Sequence, residues 1–121
     1  MRTHRSDCIA VTTGAPDFVD ITDEVAAALA RSGIRDGHVT VFARAEACSL
    51  LVQERESGLL VDLEQAMERV GAASRTTLVG SASLVLPAVD GRLRLGVWQR
   101  VLLVEHDAAG ARSVTVQIVG E

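Results

Sequence analysis

The stretch that most narrows the possible folds is VDGRLRLGVWQRVLLVE, residues 89–105. Asp90-Gly91 lies between two apolar runs, the strongest short-range sign of a tight hairpin whose turn residues take positive φ. Beyond it Leu93, Leu95 and Val97 alternate with Arg92, Arg94 and Gly96, the two-residue period of a strand with one face inward. Over residues 101–104 the alternation gives way to four apolar residues in a row, as in a strand covered on both faces. One long strand over 93–105 is therefore expected to leave a half-exposed edge and enter the middle of a layered or oligomeric core.

The rest of the chain supplies partners for that strand. Residues 8–13, CIAVTT, read as a short strand and 14–17 as a turn. Thr22 is placed to cap a helix whose first turn holds Asp23 and Glu24 and whose expected left-handed stop is Gly33. A strand over 38–43 follows, with Val39 and Val41 on one face, and the apolar run 47–52 extends or follows it after a break. Ser57 is expected to cap a second helix, with Leu59, Leu60, Leu63, Met67 and Val70 at helical spacing and Gly71 at its end. Strands are expected over 76–79, 83–89, 93–105 and 113–119, with a hairpin loop at Gly110. Two helices on about six mostly antiparallel strands make an α+β fold, in one domain over residues 1–121.

Composition excludes several functions. Phe18, Phe42 and Trp98 are the only aromatic residues, and a net charge of -4 with a pI near 5.3 leaves neither stacking platform nor basic footprint for nucleic acid. All twelve basic residues are arginine, so a Schiff-base lysine and a P-loop lysine are both excluded. Cys8 and Cys48 form no CxxC pair, residues 1–7 are polar with no apolar segment of a signal peptide after them, and no run reaches membrane-spanning length. A cytoplasmic protein with reduced thiols is the expectation.

The segments VDGRLRLGVWQRVLLVEHD and SVTVQIVGE resemble the C-terminal half of the YjbQ family, described as secondary thiamine-phosphate synthases, whose members typically read V-DGRLALGTWQ-I---E-D and end V-VQ--GE. ITDEVAAALARSGIRDGHVTVF and ERESGLLVDLEQAME resemble the family's two helices and intervening strand, so the resemblance covers most of the chain. It implies a YjbQ-like α+β fold of two helices on antiparallel layers, a homotrimer, and a pocket near subunit boundaries. It also implies a small phosphorylated ligand as partner, with no nucleic acid and no membrane.

The departures from the family pattern fall where its chemistry would lie. Where members carry a histidine, two threonines and an I-N-E motif, this chain reads ARAEACSLLVQE. Ala45 takes the histidine position, Glu46-Ala47 replace the threonines, and Gln53 replaces the asparagine, while Glu54 is kept. Ala73, in AASRTTLVG, falls near the position of a second family histidine. The resemblance makes those histidines the metal-binding and catalytic set, so no metal and no cofactor is expected here. A metal site needs three or four converging donors; His4, His38 and His106 fall on none of the family positions, and a surface or capping role is expected of each. His4 is expected in a mobile terminus.

Glu54 remains as the candidate catalytic carboxylate, able to take a proton or hold a hydroxyl or amine. Candidate ligand-binding residues are Arg75, able to grip phosphate but otherwise a surface arginine, Trp98 and Gln99 from the family motif, and Arg44 with Glu46, able to pair across the vacated position but more simply read as solvated surface charges. Trp98 is otherwise a core or subunit contact, Gln99 a partner for buried backbone, and Cys48 an inert buried thiol. Three readings follow. The favoured one is a catalytically degenerate trimeric scaffold, a pseudoenzyme that binds a small ligand without metal. The others are a weak thiamine-phosphate synthase-type transferase and a subunit assembled with an intact relative.

Overall fold

In the computed structural model all 121 residues are described, apart from the side chains of Ala72 and Ala73. The chain builds β1 (Arg2–Thr12), β2 (Asp17–Asp20), α1 (Thr22–Ser32), β3 (Gly37–Ala43), β4 (Cys48–Glu54), α2 (Ser57–Glu68), α3 (Ala72–Leu78), β5 (Ser83–Val89), β6 (Arg92–Leu93), β7 (Gln99–Glu105) and β8 (Gly110–Gly120). One sheet has five strands in the order β1-β8-β3-β5-β6, the other three in the order β2-β7-β4, and every ladder is antiparallel. This is the expected α+β class, with three helices rather than two.

The Asp90-Gly91 hairpin forms as expected, with φ of 52° and 77° at its two turn residues. The strand beyond it is not continuous. β6 stops at Leu93, the Arg94 N–H makes a last bond to Pro87 of β5 at 2.9 Å, residues 95–98 leave the five-stranded sheet, and β7 begins at Gln99 in the centre of the other. The change of sequence period thus marks a passage from an edge strand of one sheet to the middle of another. Val97 is exposed, not inward as the alternation implied, because it lies in that connection.

The two sheets and α1 share one core. Val39, Val41, Leu86, Val114, Val116 and Ile118 point in from the five-stranded sheet, Leu50, Val101 and Leu103 from the three-stranded one, and Val25, Ala28 and Leu29 from α1. The outward face of the large sheet carries Ile9, Val11, Phe42, Val85 and Val89, all exposed. Leu102 and Val104 of β7 are as buried as Val101 and Leu103 but on the opposite face, where alternation turns them away from the shared core. Gly37 and Gly120 pair directly, and a side chain at either would overlap the facing backbone.

Several expected details are corrected. β1 begins at Arg2, so His4 sits in a strand with its ring nitrogen Nε2 buried, not in a mobile terminus. The alternation of that strand is hidden in sequence because its inner positions include His4, Ser6 and Cys8. Thr22 and Ser57 are not caps: the Asp20 carboxylate takes the Thr22 N–H, and Glu56 takes those of Gly58 and Leu59. The Thr22 hydroxyl instead accepts the backbone N–H of Val101. Residues 76–79 are not a strand but lie in and just after α3. Gly71 precedes that helix rather than closing α2, and Gly110 opens β8 rather than a hairpin, since β7 and β8 belong to different sheets.

Candidate functional site

The chemistry-bearing side chains gather at the two ends of the β4–β7 ladder, which runs from Cys48 opposite Glu105 to Glu54 opposite Gln99. At about 3.4 Å per residue those ends lie roughly 20 Å apart. The Cys48 end is closed, the Glu54 end open.

At the closed end Glu105 is fully buried. Its carboxylate accepts from the Arg112 guanidinium at 2.6 Å, the Thr12 hydroxyl at 2.8 Å and the Asp107 N–H at 3.3 Å. Burial alone would raise its pKa, but these hydrogen bonds and the Arg112 charge outweigh it and hold the carboxyl below its usual range. Cys48, opposite it in the ladder, is pushed up to about 11 by burial and by the Glu105 charge. A thiol kept protonated in this way is no nucleophile at neutral pH.

On the other face of the same end lies a buried serine–histidine pair. The Ser49 Oγ is 2.7 Å from Nε2 of His106 and 2.5 Å from the carbonyl oxygen of Val79. A carbonyl can only accept, so the single hydroxyl proton goes to Val79. Nε2 of His106 must then carry a proton and donate to Oγ, which leaves Nδ1 as a buried acceptor without a partner. Burial, with the nearby Arg75 charge, depresses the His106 pKa against a smaller opposing effect of Glu105. His106 is therefore neutral, and its donor points at the hydroxyl, the reverse of a base poised to activate a nucleophile. The expectation of a surface or capping histidine is corrected. No local pattern announced this, since burial of a polar residue after the apolar run 101–104 depends on what packs over the strand end.

Arg75 belongs to this end. Nη1 donates to the carbonyls of Met67 and Val70, each at 3.2 Å, and Nη2 to that of His106 at 2.9 Å. The guanidinium thus ties the end of α2 to the end of β7: both Nη nitrogens expected to grip phosphate donate to backbone, and among the described residues the buried Nε has no partner. Glu54 is on the far side of the ladder, so the two candidates share no cavity.

The open end is a hollow of about 470 Å³ lined by Glu54, Arg55, Glu56, Val97, Trp98 and Arg100. Trp98 is 73% exposed and Val97 88%, so this indole is no core residue within the chain. Asp20 receives Arg100 at 2.7 Å and Arg55 at 3.7 Å, and Arg100 also reaches Asp23 at 3.2 Å. Glu56 is held as the α2 cap, its pKa lowered by the two backbone N–H groups it accepts. Glu54 is the remaining charge in the lining, and among the described residues it forms no ion pair. Gln99 accepts the exposed Gly96 N–H at 2.8 Å, closing the loop before β7 rather than serving buried backbone.

Arg44 and Glu46 do not pair. Arg44 reaches Asp7 at 3.8 Å on the outward face of the large sheet, and Glu46 is solvent-exposed. Ala45, at the position the resemblance gives to a histidine, is partly buried against the core, where a methyl offers no lone pair. Ala73, the second such position, lies outside the described side chains. Among the described residues of the single chain no three His, Cys, Asp or Glu side chains converge as a metal ion would require. Nor is any described helix long and apolar enough to cross a membrane.

Comparison with known proteins agrees with this geometry at the level of fold. A sequence model described as UPF0047 protein YjbQ-like matches residues 7–121. A UPF0047 protein of Archaeoglobus fulgidus is 33% identical over 84% of this chain and 90% of its own length. One from Methanothermobacter thermautotrophicus is 29% identical over 91% and 87%. Among solved structures, a hypothetical protein of Aeropyrum pernix superposes with a TM-score of 0.90 at 25% identity, covering 98% of this chain and 99% of that one. A YbjQ-like protein of unknown function from Sulfolobus solfataricus superposes with a TM-score of 0.88 at 26% identity, covering 99% of both.

Proposed function

Because the chain belongs to the YjbQ-like UPF0047 family, we propose that it keeps that scaffold as a homotrimer without a metal-assisted catalytic centre, and binds a small ligand in the open hollow beside Trp98. The observation that carries this reading is the proton arrangement at Ser49: its hydroxyl proton is given to Val79, and the one buried imidazole paired with it donates rather than accepts. A transfer reaction of the thiamine-phosphate synthase type needs polarised groups at the reacting centre. Ala45 and a donor-facing His106 supply none.

Trimer formation is supported by the apolar outward face of the large sheet, where Ile9 and Val11 are 62% and 65% exposed and Val85 64%. Apolar residues left exposed on this face, interleaved with Arg5, Thr40, Thr115 and Gln117, would be covered by a second copy of the chain. Ligand binding is supported by the exposed indole over a concave surface where, among the described residues, Glu54 is the charged side chain in neither an ion pair nor a helix cap. A phosphorylated ligand would reach Arg55 or Arg100 there only in competition with Asp20.

The test is light scattering of the purified protein with elemental analysis of the same eluted peak. A trimer without stoichiometric transition metal is the expected result. A monomer would remove the scaffold reading, and one metal ion per chain would overturn the metal-free one.

A further inference from the structure

We infer that the hollow beside the β5–β6 hairpin and Arg35, in the loop between α1 and β3, binds an amphipathic organic anion, a carboxylate head on an apolar body. The hollow measures about 600 Å³ and is lined by Arg35, Val89, Asp90, Arg92, Leu93, Arg94 and Leu95. It shares no residue with the hollow at Trp98.

Charge is the first argument. Three guanidiniums face one carboxylate, on a chain whose net charge is -4. Among the described residues none of the three takes part in an ion pair, whereas Arg44, Arg55, Arg100 and Arg112 all do. Nη2 of Arg35 donates to the backbone carbonyl of Asp90 at 3.1 Å, which fixes that guanidinium beside the turn and lowers the cost of ordering it around a ligand. The Asp90 N–H is held by Asp36, so the turn itself is braced. Arg92 and Arg94 are exposed, and among the described residues neither guanidinium has an ion pair, which leaves them for planar, two-point recognition of a carboxylate.

The floor is the second argument. Leu93 and Leu95 are partly buried against the core, and Val89 remains 37% exposed. A bare inorganic anion would meet only the arginine rim and leave this surface wet. An apolar body of several carbons would cover it, and each methylene removed from water adds to the affinity. The volume lies within the range of small-molecule sites.

The test is calorimetric titration of the intact protein with sodium octanoate, with sodium acetate as the equal-charge comparison. Octanoate is expected to bind at least roughly tenfold more tightly than acetate. Arg92→Gln and Arg94→Gln should each weaken octanoate by roughly tenfold, whereas Arg69→Gln, an exposed arginine of the α2 end, should leave it unchanged. Val89→Ser should narrow the gap between octanoate and acetate. Should a variant fail to fold, arginine Nε–H signals in the nuclear magnetic resonance spectrum of the wild-type protein must shift on adding octanoate. Equal binding of octanoate and acetate, full octanoate affinity in both glutamine variants, or unmoved arginine signals would each overturn the assignment.

Discussion

Strand β7 starts and finishes in opposite surroundings. At its end, Glu105 and His106 are 0% and 1% exposed and nearly every polar atom is committed to a neighbour. At its start, Gln99 and the preceding Trp98 face solvent, and Glu54 across the ladder lacks an ionic partner. The same residue types therefore mean different things at the two ends. A buried, fully bonded carboxylate holds elements together; an exposed, unpaired one is available to a ligand. Polar residues alone do not mark a site; uncommitted ones do.

The sharpest way to break that contrast is to neutralise one carboxylate at each end. Glu105→Gln takes the charge from opposite Arg112 and weakens the bonds to Thr12 and Asp107. Removing one member of a buried pair should lower the unfolding free energy by about 3 kcal/mol or more. In a domain of this size that is a fall in melting temperature of roughly 10 °C. Glu54→Gln should stay within about 0.5 kcal/mol of wild type. Chemical denaturation of both variants decides it, and similar costs would erase the distinction between the ends.

How far this contrast was visible in the sequence depends on the element. The Asp90-Gly91 turn and the apolar run 101–104 could be read directly, because turn chemistry and two-sided burial are local patterns. The sheet switch between them could not. Residues 95–98 keep an alternating pattern although they leave the ladder, and only pairing partners reveal the break. α3 was hidden for a different reason. Thr76, Thr77 and Val79 favour strands by local preference, yet the helix is held in place by Arg75 gripping carbonyls at the end of α2 and of β7. The helix starts were misread by one residue, because Glu56 rather than Ser57 caps α2, while α1 has Ile21 at its cap position and Asp20 takes its first N–H. Glu54 and Trp98 line one hollow at the open end, a proximity that depends on the β4–β7 register and not on local pattern. Arg75 joins the closed end instead, since which donors are already engaged is a tertiary fact.

A second test is the response to acid. The folded-state pKa of His106 is depressed below its ordinary 6.5, so below that pH the unfolded chain binds the proton more readily. Stability is then fully present above pH 6.5 and falls as pH drops, by at most about 1.4 kcal/mol per pH unit for this one group. Glu105 and Asp20, both held below their ordinary 4.5 and 3.8, add further losses in the same direction at lower pH. Melting temperatures measured from pH 7.5 to 5 should decline below 6.5, and His106→Gln should flatten that part of the curve. A wild-type profile level across this window would mean that the closed end is not sealed from protons.

The smallest expected effect on stability belongs to Trp98→Ala, and it is the most telling about the open end. An indole 73% exposed contributes little to the fold, so the melting curve of the isolated chain should move by about 0.5 kcal/mol or less. Its apolar face nevertheless lies beside Val97 over the hollow of Glu54 and Arg100, where a ligand or a second copy of the chain would cover it. If the open end is for binding, the variant folds normally but loses ligand uptake or shifts toward monomer in light scattering. A large loss of stability at protein concentrations that keep the wild type monomeric would instead make Trp98 part of the architecture, and the two ends of β7 would no longer differ in kind.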